Sequence, residues 1–316
     1  MAGRRGAVSD RLPPEVQALL DQRTAARQAR DWETADALRD RLAELGWEPI
    51  DGPRGSVVRP RLASSPSPEL APLLDEPATL PASVVVIAED HPVDLARFLE
   101  GIAAHAPSSD WELIVVANAP SFDVGGPMPA GSTVMPTAER LGWADAANLG
   151  LRRGRGEVLI LLDTSLEPTG DWLSPLLAAF DDPSVGVAGP HGVTSADGRQ
   201  FEEAPPGEVD AVEAYCLAIR RDALRAAGGG FDHRFRFYRN ADLDLSFAIR
   251  AAGWRAIRTE PLPLLRHEHR GFASLTTDER DRLSRRNFYR FLKHWGDRRD
   301  LLLHRGPRPG ARRANE

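Results

Sequence analysis

Two short segments of the chain carry residue types and spacings that could do chemistry. In the first, small residues at Gly142, Ala144, Ala147 and Gly150 recur along one predicted helix. Their size would let the helix approach a ligand closely, and Asn148 could add a polar contact. The same residues would equally let a helix pack tightly on a sheet. The segment therefore predicts either a ligand-binding helix or a close-packed one.

The second segment is an acidic cluster. Asp242 and Asp244 stand at the beginning of a predicted helix, ADLDLSFAIRAAG. A carboxylate at the start of a helix that borders a cleft can act as a general base. Acidic side chains also stabilise a helix N-terminus through the helix dipole, and Asn240 could cap such a helix. At this point a catalytic role and a purely structural role both account for the pair.

Composition limits the kind of protein that these segments belong to. Of the 316 residues, 42% are hydrophobic and 27% charged, as in ordinary globular proteins. Cys216 is the only cysteine, which excludes an internal disulfide and a multi-thiolate metal site. The net charge of −6 supplies no overall positive field for nucleic acid or anionic lipid.

No run of the sequence approaches the roughly 20 apolar residues that a transmembrane helix needs. The arginines near the start are not followed by the apolar region of a secretory signal. We therefore expect a cytoplasmic protein, with peripheral association at the inner face of the membrane left open.

Shifts in composition predict four parts. These are a helical hairpin over 1–60, a Pro/Ser-rich linker over 61–81, an α/β domain over 82–300 and a flexible Arg-rich tail over 301–316. In the large part, β-branched runs such as SVVVIA, WELIVVA and EVLILL alternate with helical patterns. This alternation predicts a mostly parallel sheet with flanking helices.

Two ordered motifs resemble family 2 glycosyltransferases of the GT-A fold. One is LGWADAANLGLRRGRGEVLILLDTSLEP, where a small-residue helix with Asn-x-Gly leads into an apolar strand that ends at Asp163. The other is GGFDHRFRFYRNADLDLSFAIRAAGW, where a Gly-Gly-Phe-Asp turn containing Asp232 precedes the acidic cluster. The resemblance covers about residues 82–296. It implies transfer of a sugar from a nucleoside diphosphate donor to a glycan or lipid-linked acceptor hydroxyl, with inversion.

The resemblance also implies a site for the leaving diphosphate. GT-A enzymes usually place Mn²⁺ or Mg²⁺ there through an Asp-x-Asp motif. Here the triplet is Asp163-Thr164-Ser165. Asp163 keeps the first carboxylate, but the neutral hydroxyl of Ser165 is a weak ligand for a hard cation, which argues against metal binding. His267 or His269 resembles the late histidine of the family, which can complete the metal or phosphate site, and either could instead be structural.

On the acceptor side, the resemblance implies that Asp242 is the base, with Asp232 and Asp244 nearby. The family commonly has glutamate where this chain has Ala241. A loss of half of the acidic pair puts the catalytic role of the cluster in question.

On the donor side, the family binds the nucleobase with polar groups after the first strand and an acidic residue after the second. Glu89 and Asp90 follow the first strand, and they could contact a uracil or ribose or simply end the strand in solvent. After the second strand, Ala117 takes the acidic place, although Asn118 can still form hydrogen bonds. Glu89 and Asn118 are therefore predicted to bind the donor, together with Asn148, Asp163 and Ser165.

The departures at Ala117, Ser165 and Ala241 affect three different tasks. They indicate either a metal-independent enzyme or a protein that kept the fold and lost the reaction. The alternative to a transferase is thus a GT-A-like scaffold that is recruited through its N-terminal hairpin.

Over about residues 15–59, the N-terminal hairpin resembles the C-terminal helical module of bacterial cysteinyl-tRNA synthetases, including the run ADALRD and the turn DGPRG. That module lies near the anticodon, and Arg23, Arg27 and Arg30 form a basic stripe that could meet phosphates. Interleaved acidic residues favour a protein partner or oligomerisation over RNA. Aminoacylation is excluded, because the sequence has no catalytic synthetase domain.

Overall fold

The computed structural model describes residues 12–45, 47–52, 55–60, 71–105, 110–119, 124 and 128–304. Contacts divide the chain into two compact units, residues 1–65 and 66–316, and each unit is described by itself. Residues 61–70 of the predicted linker and residues 305–316 of the predicted tail lie outside the described residues.

The first unit contains two helices followed by an antiparallel pair of strands. Its elements are α1 (Pro14–Gln28), α2 (Trp32–Glu44), β1 (Trp47–Gly52) and β2 (Gly55–Pro60). The helices bury Val16, Leu20, Ala35 and Leu42, which are spaced so that they share one face of each helix. The two strands were missed because glycine and proline, which are atypical of strands, make up much of both segments.

The predicted basic stripe of the first unit is not a free surface. Arg23 is 2% exposed, and its guanidinium donates to the Ser56 hydroxyl over 3.3 Å. The guanidinium carbon of Arg27 lies 5.7 Å from the ring centroid of Trp32. Arg30 occupies a left-handed turn between the helices, with φ of 58°. Two of the three arginines are thus engaged within the unit, which weakens the prediction of phosphate contacts.

The second unit is an α/β layer structure. In chain order, its first elements are β3 (Leu80–Ala88), α3 (Pro92–Ala104), β4 (Trp111–Ala117), β5 (Thr133–Pro136), α4 (Trp143–Arg153), β6 (Gly156–Leu162), β7 (Leu166–Pro168), α5 (Leu173–Ala178) and β8 (Val185–Gly189). There follow β9 (Gly192–Thr194), β10 (Glu202–Glu203), β11 (Gly207–Val209), β12 (Ala211–Val212), β13 (Cys216–Arg220), α6 (Arg221–Ala226), α7 (Ala241–Ala251), β14 (Arg255–Arg258), β15 (Leu264–Arg266), α8 (Arg270–Ala273) and α9 (Thr277–Trp295).

Eight strands form the main sheet in the order β11-β14-β8-β13-β6-β3-β4-β5. The neighbours β6, β3, β4 and β5 run parallel, as do β14 and β8. Strand β13 is antiparallel to both of its neighbours, and β11 is antiparallel to β14. The predicted mostly parallel GT-A-like sheet, preceded by a small helical region, is therefore confirmed.

Helices cover both faces of this sheet. Alternate residues of a strand point to opposite faces, so each central strand contributes to two core clusters. Val84 and Val86 of β3 share a cluster with Phe98 of α3. Val85, between them, shares the other cluster with Ala147 of α4. Burial on both faces explains why the central strands are almost continuously apolar.

Helix α4 settles the first open alternative in favour of close packing. Ala144, Ala146 and Ala147 are fully buried against the sheet. A Cβ added at Gly150 would lie 2.3 Å from Cγ1 of Val85, so only glycine fits there. The small residues therefore let the helix lie close to β3 and do not open a surface for a ligand.

The predicted linker and tail are shorter than the sequence indicated. Strand β3 begins at Leu80, inside the stretch assigned to the linker, and Leu74 is buried in the core. At the other end, Leu301 and Leu302 are buried in a cluster with Phe291 of α9. The sequence boundaries at 81 and 301 were placed by Pro, Ser and Arg content, which does not report these few apolar anchors. Across the described helices, none combines the length and the apolar character that crossing a membrane requires.

Candidate active site

Two adjoining clefts open at the carboxyl ends of the central strands. The large cleft, of about 350 Å³, is lined by residues that include Glu89, Asp163, Ser165 and Arg270. The small cleft, of about 170 Å³, is lined by residues that include Glu213, Tyr215, Asp242 and Asn240. Five residues line both clefts, namely Trp143, Asp163, Ala214, Tyr238 and His269. A molecule in one cleft would therefore meet a molecule in the other across this shared wall.

Asp163 lies directly after β6, at the centre of the shared wall. Its Oδ1 accepts the backbone N–H of Ser165 at 2.8 Å, and its Oδ2 lies 3.2 Å from Nε2 of His269. Burial alone would raise the pKa of Asp163, but His269 and Ser165 outweigh burial and leave the pKa lowered. The group is therefore a carboxylate at neutral pH.

His269 is fixed from three sides. Its Nδ1 accepts the backbone N–H of Phe272 at 3.0 Å, and its ring stacks on Tyr238 with 4.7 Å between centroids. Burial would lower the pKa of His269, and Asp163 outweighs it and raises the pKa. A proton on Nδ1 would nevertheless face the N–H of Phe272. The first turn of α8 therefore favours a proton on Nε2, directed at Asp163, over a proton on Nδ1.

His267 is placed elsewhere. Its Nε2 lies 2.6 Å from Oε2 of Glu167, in the β7 and β15 region, and it lines neither cleft. Of the two histidines left open by the sequence, the structure thus brings His269 to Asp163. The prediction of His267 as a metal ligand is corrected by this pairing. Register could not separate the two histidines, because the chain turns into α8 immediately after His269.

The residues around Asp163 do not fit a tightly held divalent cation. Such cations take several oxygen ligands, mostly carboxylates and carbonyls. Asp163 is the one carboxylate of the triplet, Ser165 offers only a hydroxyl, and the lone pair of His269 that could serve as a ligand is turned to Phe272. The expectation drawn from Ser165 is therefore supported by the geometry of His269.

A different group of side chains in the described part of the chain has metal-ligand composition. The ligand atoms of Asp232, Asp244 and His294 lie within 4.8 Å of one another. However, Arg234 pairs with Asp232 at 2.5 Å, and Trp295 donates to Asp244 at 2.8 Å. None of the three lines either cleft. Asp244 faces α9 through Trp295, so the contacts of this group give no support to the prediction that Asp232 and Asp244 lie beside an acceptor.

Asp242 faces the small cleft from the first turn of α7. Its Oδ2 accepts the backbone N–H of Ala214, and its Oδ1 accepts the N–H of Leu243, both at 3.0 Å. Burial, and secondly the charge of Glu213, raise the pKa of Asp242 to about 6. The expected cap at Asn240 is absent, since that amide donates to the carbonyl of Ser284 instead. Asp242 is thus a fixed carboxylate whose pKa suits proton transfer near neutrality.

Glu89 lines the large cleft. Its Oε1 accepts from Nδ2 of Asn118 at 2.6 Å, and burial raises its pKa against the effects of Asn118 and Arg140. Asn118 is fully buried, and its amide also exchanges two hydrogen bonds with the backbone of Leu141. Asn118 lines neither cleft. It therefore orients Glu89 and the start of α4 rather than facing a ligand.

Asn148 has a comparable internal role. Its amide donates to the carbonyl of Phe231 at 2.8 Å and accepts the N–H of Phe231 at 2.7 Å. A Cβ at Gly230 would lie 2.2 Å from Oδ1 of Asn148, which accounts for the glycine next to the phenylalanine. The two motifs of the sequence are therefore joined through Asn148, and its predicted donor contact is corrected.

Sequence reasoning missed the aromatic part of the site and one arginine. Trp143, Tyr215 and Tyr238 line the small cleft, and Arg270 lines the large one. Arg270 directly follows His269, and Tyr238 shortly precedes Asp242. Their nearness to these motifs in the sequence could have indicated that both residues belong to the site. Tyr215 had no such signal, because it reaches the site just before β13, whose first residue pairs with Leu162 at the carboxyl end of β6.

The mostly parallel sheet with a two-part cleft at its strand ends agrees with the GT-A fold. The family described as glycosyl transferase family 2 matches residues 83–262, which is more than half of the chain. The chain therefore belongs to glycosyl transferase family 2. The N-terminal residues 9–47 match the cysteinyl-tRNA ligase anticodon binding domain, so the second resemblance is confirmed too.

Individual relatives agree with this division. The pre-mycofactocin glycosyltransferase of Mycobacterium tuberculosis is 30% identical over 166 residues, which is 47% of this chain and 33% of that protein. The cysteine–tRNA ligase of Salmonella agona is 56% identical over 45 residues, which is 14% of this chain and 10% of the ligase. The chain thus spans a third or less of these curated relatives.

Among solved structures, GalNAc-T7, crystallised with UDP, GalNAc and Mn²⁺, superposes with a TM-score of 0.53 at 15% identity. The superposition covers 71% of this chain and 49% of GalNAc-T7. At this identity the likeness concerns the fold alone.

Proposed function

We propose that the chain transfers a sugar from a nucleoside diphosphate donor to an acceptor hydroxyl on a glycan or a lipid-linked molecule, with inversion at the anomeric carbon. The large cleft holds the donor, with Glu89 at the nucleoside end and Asp163 and Ser165 near the diphosphate. The small cleft holds the acceptor, and Asp242 is its general base. The names and bound molecules of the relatives, a glycosyltransferase and a complex with UDP and GalNAc, support the same class of reaction.

The reaction needs one proton transfer and one displacement. Asp242 takes the proton of the acceptor hydroxyl, and the oxygen attacks the anomeric carbon from the face opposite the diphosphate. The bond between that carbon and the diphosphate oxygen breaks, and the nucleoside diphosphate leaves with the electron pair. Attack from the opposite face inverts the anomeric configuration.

The observation that carries the proposal is the shared wall of the two clefts. Asp163 and His269 stand between them, and Asp242 faces the small cleft beside Tyr238. A donor and an acceptor bound on either side would meet at this wall with a base on the acceptor side. The raised pKa of Asp242 adds to this geometry, because a base with a pKa of about 6 is ionised at neutral pH and still accepts protons readily.

Donor binding is tested first, with purified full-length protein. Thermal shift and calorimetry with UDP, GDP, dTDP and their common sugars should identify a nucleotide that binds and stabilises the protein. Asp163→Ala should weaken the response, because it removes the carboxylate that fixes the backbone N–H of Ser165 and the ring of His269 at the shared wall. If no nucleotide binds, the transferase proposal fails and the scaffold alternative replaces it.

Catalysis is tested next with Asp242→Asn, which keeps the shape of the side chain. Release of nucleoside diphosphate from the sugar donor that binds should fall by about two to four orders of magnitude, while nucleotide affinity stays unchanged. Asp244→Asn is the matched control, since Asp244 lies on the same helix and lines neither cleft. Equal loss in both variants would show a structural effect and contradict the role of Asp242.

A further inference from the structure

We propose that this chain holds the donor diphosphate without a divalent cation, through the guanidinium of Arg270 and the hydroxyl of Ser165. The inference rests on the proposed function, and it differs from the metal-assisted arrangement that the resemblance to GT-A enzymes implied. It starts from the ligand set around Asp163, which does not fit a cation.

The misfit has two independent causes. The second acidic position of the triplet is Ser165, so Asp163 is the one carboxylate that the triplet keeps. In addition, His269 donates its Nε2 proton toward Asp163, because its Nδ1 accepts the N–H of Phe272. For Nε2 to bind a metal, the proton would have to move to Nδ1, where it would oppose that N–H. The first turn of α8 thus disfavours the histidine as a metal ligand.

The hydroxyl of Ser165 is buried at the wall of the large cleft. Its side chain is 2% exposed and lines the large cleft. The hydroxyl is close enough to Asp163 to lower the pKa of that group, yet it makes no well-aligned hydrogen bond of its own. A buried hydroxyl without a good partner is costly. A phosphate oxygen in the large cleft would give the Ser165 hydroxyl an acceptor.

Arg270 supplies the positive charge. It lines the large cleft, 46% of its side chain is exposed, and its Nε lies 3.6 Å from Oδ1 of Asp94. The same oxygen lies 3.0 Å from Nη1 of Arg97. Asp94 is thus contacted by two guanidinium groups, and Nε of Arg97 also lies 4.0 Å from Oε2 of Glu167. Arg270 also follows His269 directly, so its backbone is fixed beside Asp163.

A guanidinium can bind a diphosphate through two parallel hydrogen bonds. It would take over the charge neutralisation that a cation provides to the leaving group. The Arg97 guanidinium is held by Asp94 and by the carbonyl of Thr164, 3.3 Å away. Arg97 therefore keeps Asp94 neutralised when Arg270 turns to the diphosphate.

The test is calorimetry of the full-length protein with UDP and GDP, each in excess EDTA and in saturating Mn²⁺, with uridine and guanosine as probes that lack phosphate. We expect the same diphosphate affinity in both solutions. Arg270→Ala should weaken diphosphate binding by roughly tenfold to a hundredfold and leave nucleoside binding unchanged. Arg285→Ala is the matched control, because Arg285 is 71% exposed on α9 and pairs with Asp281.

The outcomes separate the two proposals. Binding that appears only with Mn²⁺ would overturn the cation-free site and leave the proposed function standing. Unchanged diphosphate affinity in Arg270→Ala, with the variant folded by its Tm, would overturn the assignment of Arg270. Failure of the unaltered protein to bind any nucleotide would overturn the proposed function, and this inference with it.

Discussion

The polar side chains near the clefts fall into two groups, those that bond only to the protein and those that also face a cleft. The amides of Asn118 and Asn148 form hydrogen bonds with backbone atoms of Leu141 and Phe231. Asp242 instead has both oxygens fixed by backbone N–H groups while it faces an open cleft. A carboxylate held in this way needs no reorganisation before it accepts a proton.

The pKa of Asp242 predicts how the activity depends on pH. A base must be deprotonated, and its pKa lies at about 6. The value of kcat/KM for transfer should therefore fall about tenfold per pH unit below that value and level off above it. Initial rates between acidic and slightly alkaline pH, with the fold monitored by circular dichroism, would measure this profile.

Glu213 provides the control for this profile. Its charge is the second cause of the raised pKa of Asp242. Glu213→Gln should therefore move the acidic limb of the profile to lower pH, because the carboxylate form of Asp242 is then easier to reach. A profile that stays flat well below pH 6, or a limb unaffected by the variant, would contradict the assignment of Asp242 as base.

Among the strands and helices, those with a long run of apolar or small residues were predicted from the sequence, and the shortest strands were missed. Strand β6 and helix α4 each show several consecutive apolar or small residues, and they were predicted. Strands β10 and β12 have two residues each, too few for any periodicity. The site followed the same rule: Asp163 and Asp242 lie in motifs, whereas Tyr215 joins them only through sheet pairing of β13.

Packing also decided roles that residue type could not. Asn148 is chemically suited to bind a ligand, and only its two bonds to Phe231 show that it does not face one. The choice between His267 and His269 likewise depended on the turn into α8. Such facts are properties of three-dimensional neighbours, which a single sequence does not record.

Helix α6 contains the residue on which the packing of the segment before β3 depends. Arg221 is 4% exposed, and its guanidinium donates to the carbonyls of Leu73, Leu74, Gly154 and Gly156. Burial lowers the pKa of Arg221. Four carbonyl acceptors thus compensate for burying this charge.

Arg221→Met should therefore destabilise the protein by about 3 kcal/mol or more, since it leaves buried carbonyls without donors. The measurement is the free energy of unfolding in urea. Arg225→Met, on the same helix and 45% exposed, should change it by less than about 0.5 kcal/mol. Similar small effects of both substitutions would show that the segment before β3 is held by its apolar contacts alone.

At the scale of the whole molecule, the chain joins a small unit and a large one. The large unit contains every residue that lines either cleft, and it contains the two core clusters that cover the main sheet. The small unit has its own buried residues, Val16, Leu20 and Leu42 among them. Each unit thus has the buried apolar surface that folding requires.

A chain of residues 66–316 should therefore fold and bind the same nucleotides as the full chain, because no cleft residue is removed. Calorimetry and thermal unfolding of the two proteins would measure this.

Light scattering and salt-dependent RNA binding, measured on the same two proteins, would then test the role of the small unit. A lower mass after truncation indicates oligomerisation through the hairpin, and loss of salt-sensitive RNA binding indicates phosphate contacts. If the truncated chain fails to bind nucleotide although it is folded, the site depends on the small unit and the two units are not functionally separate.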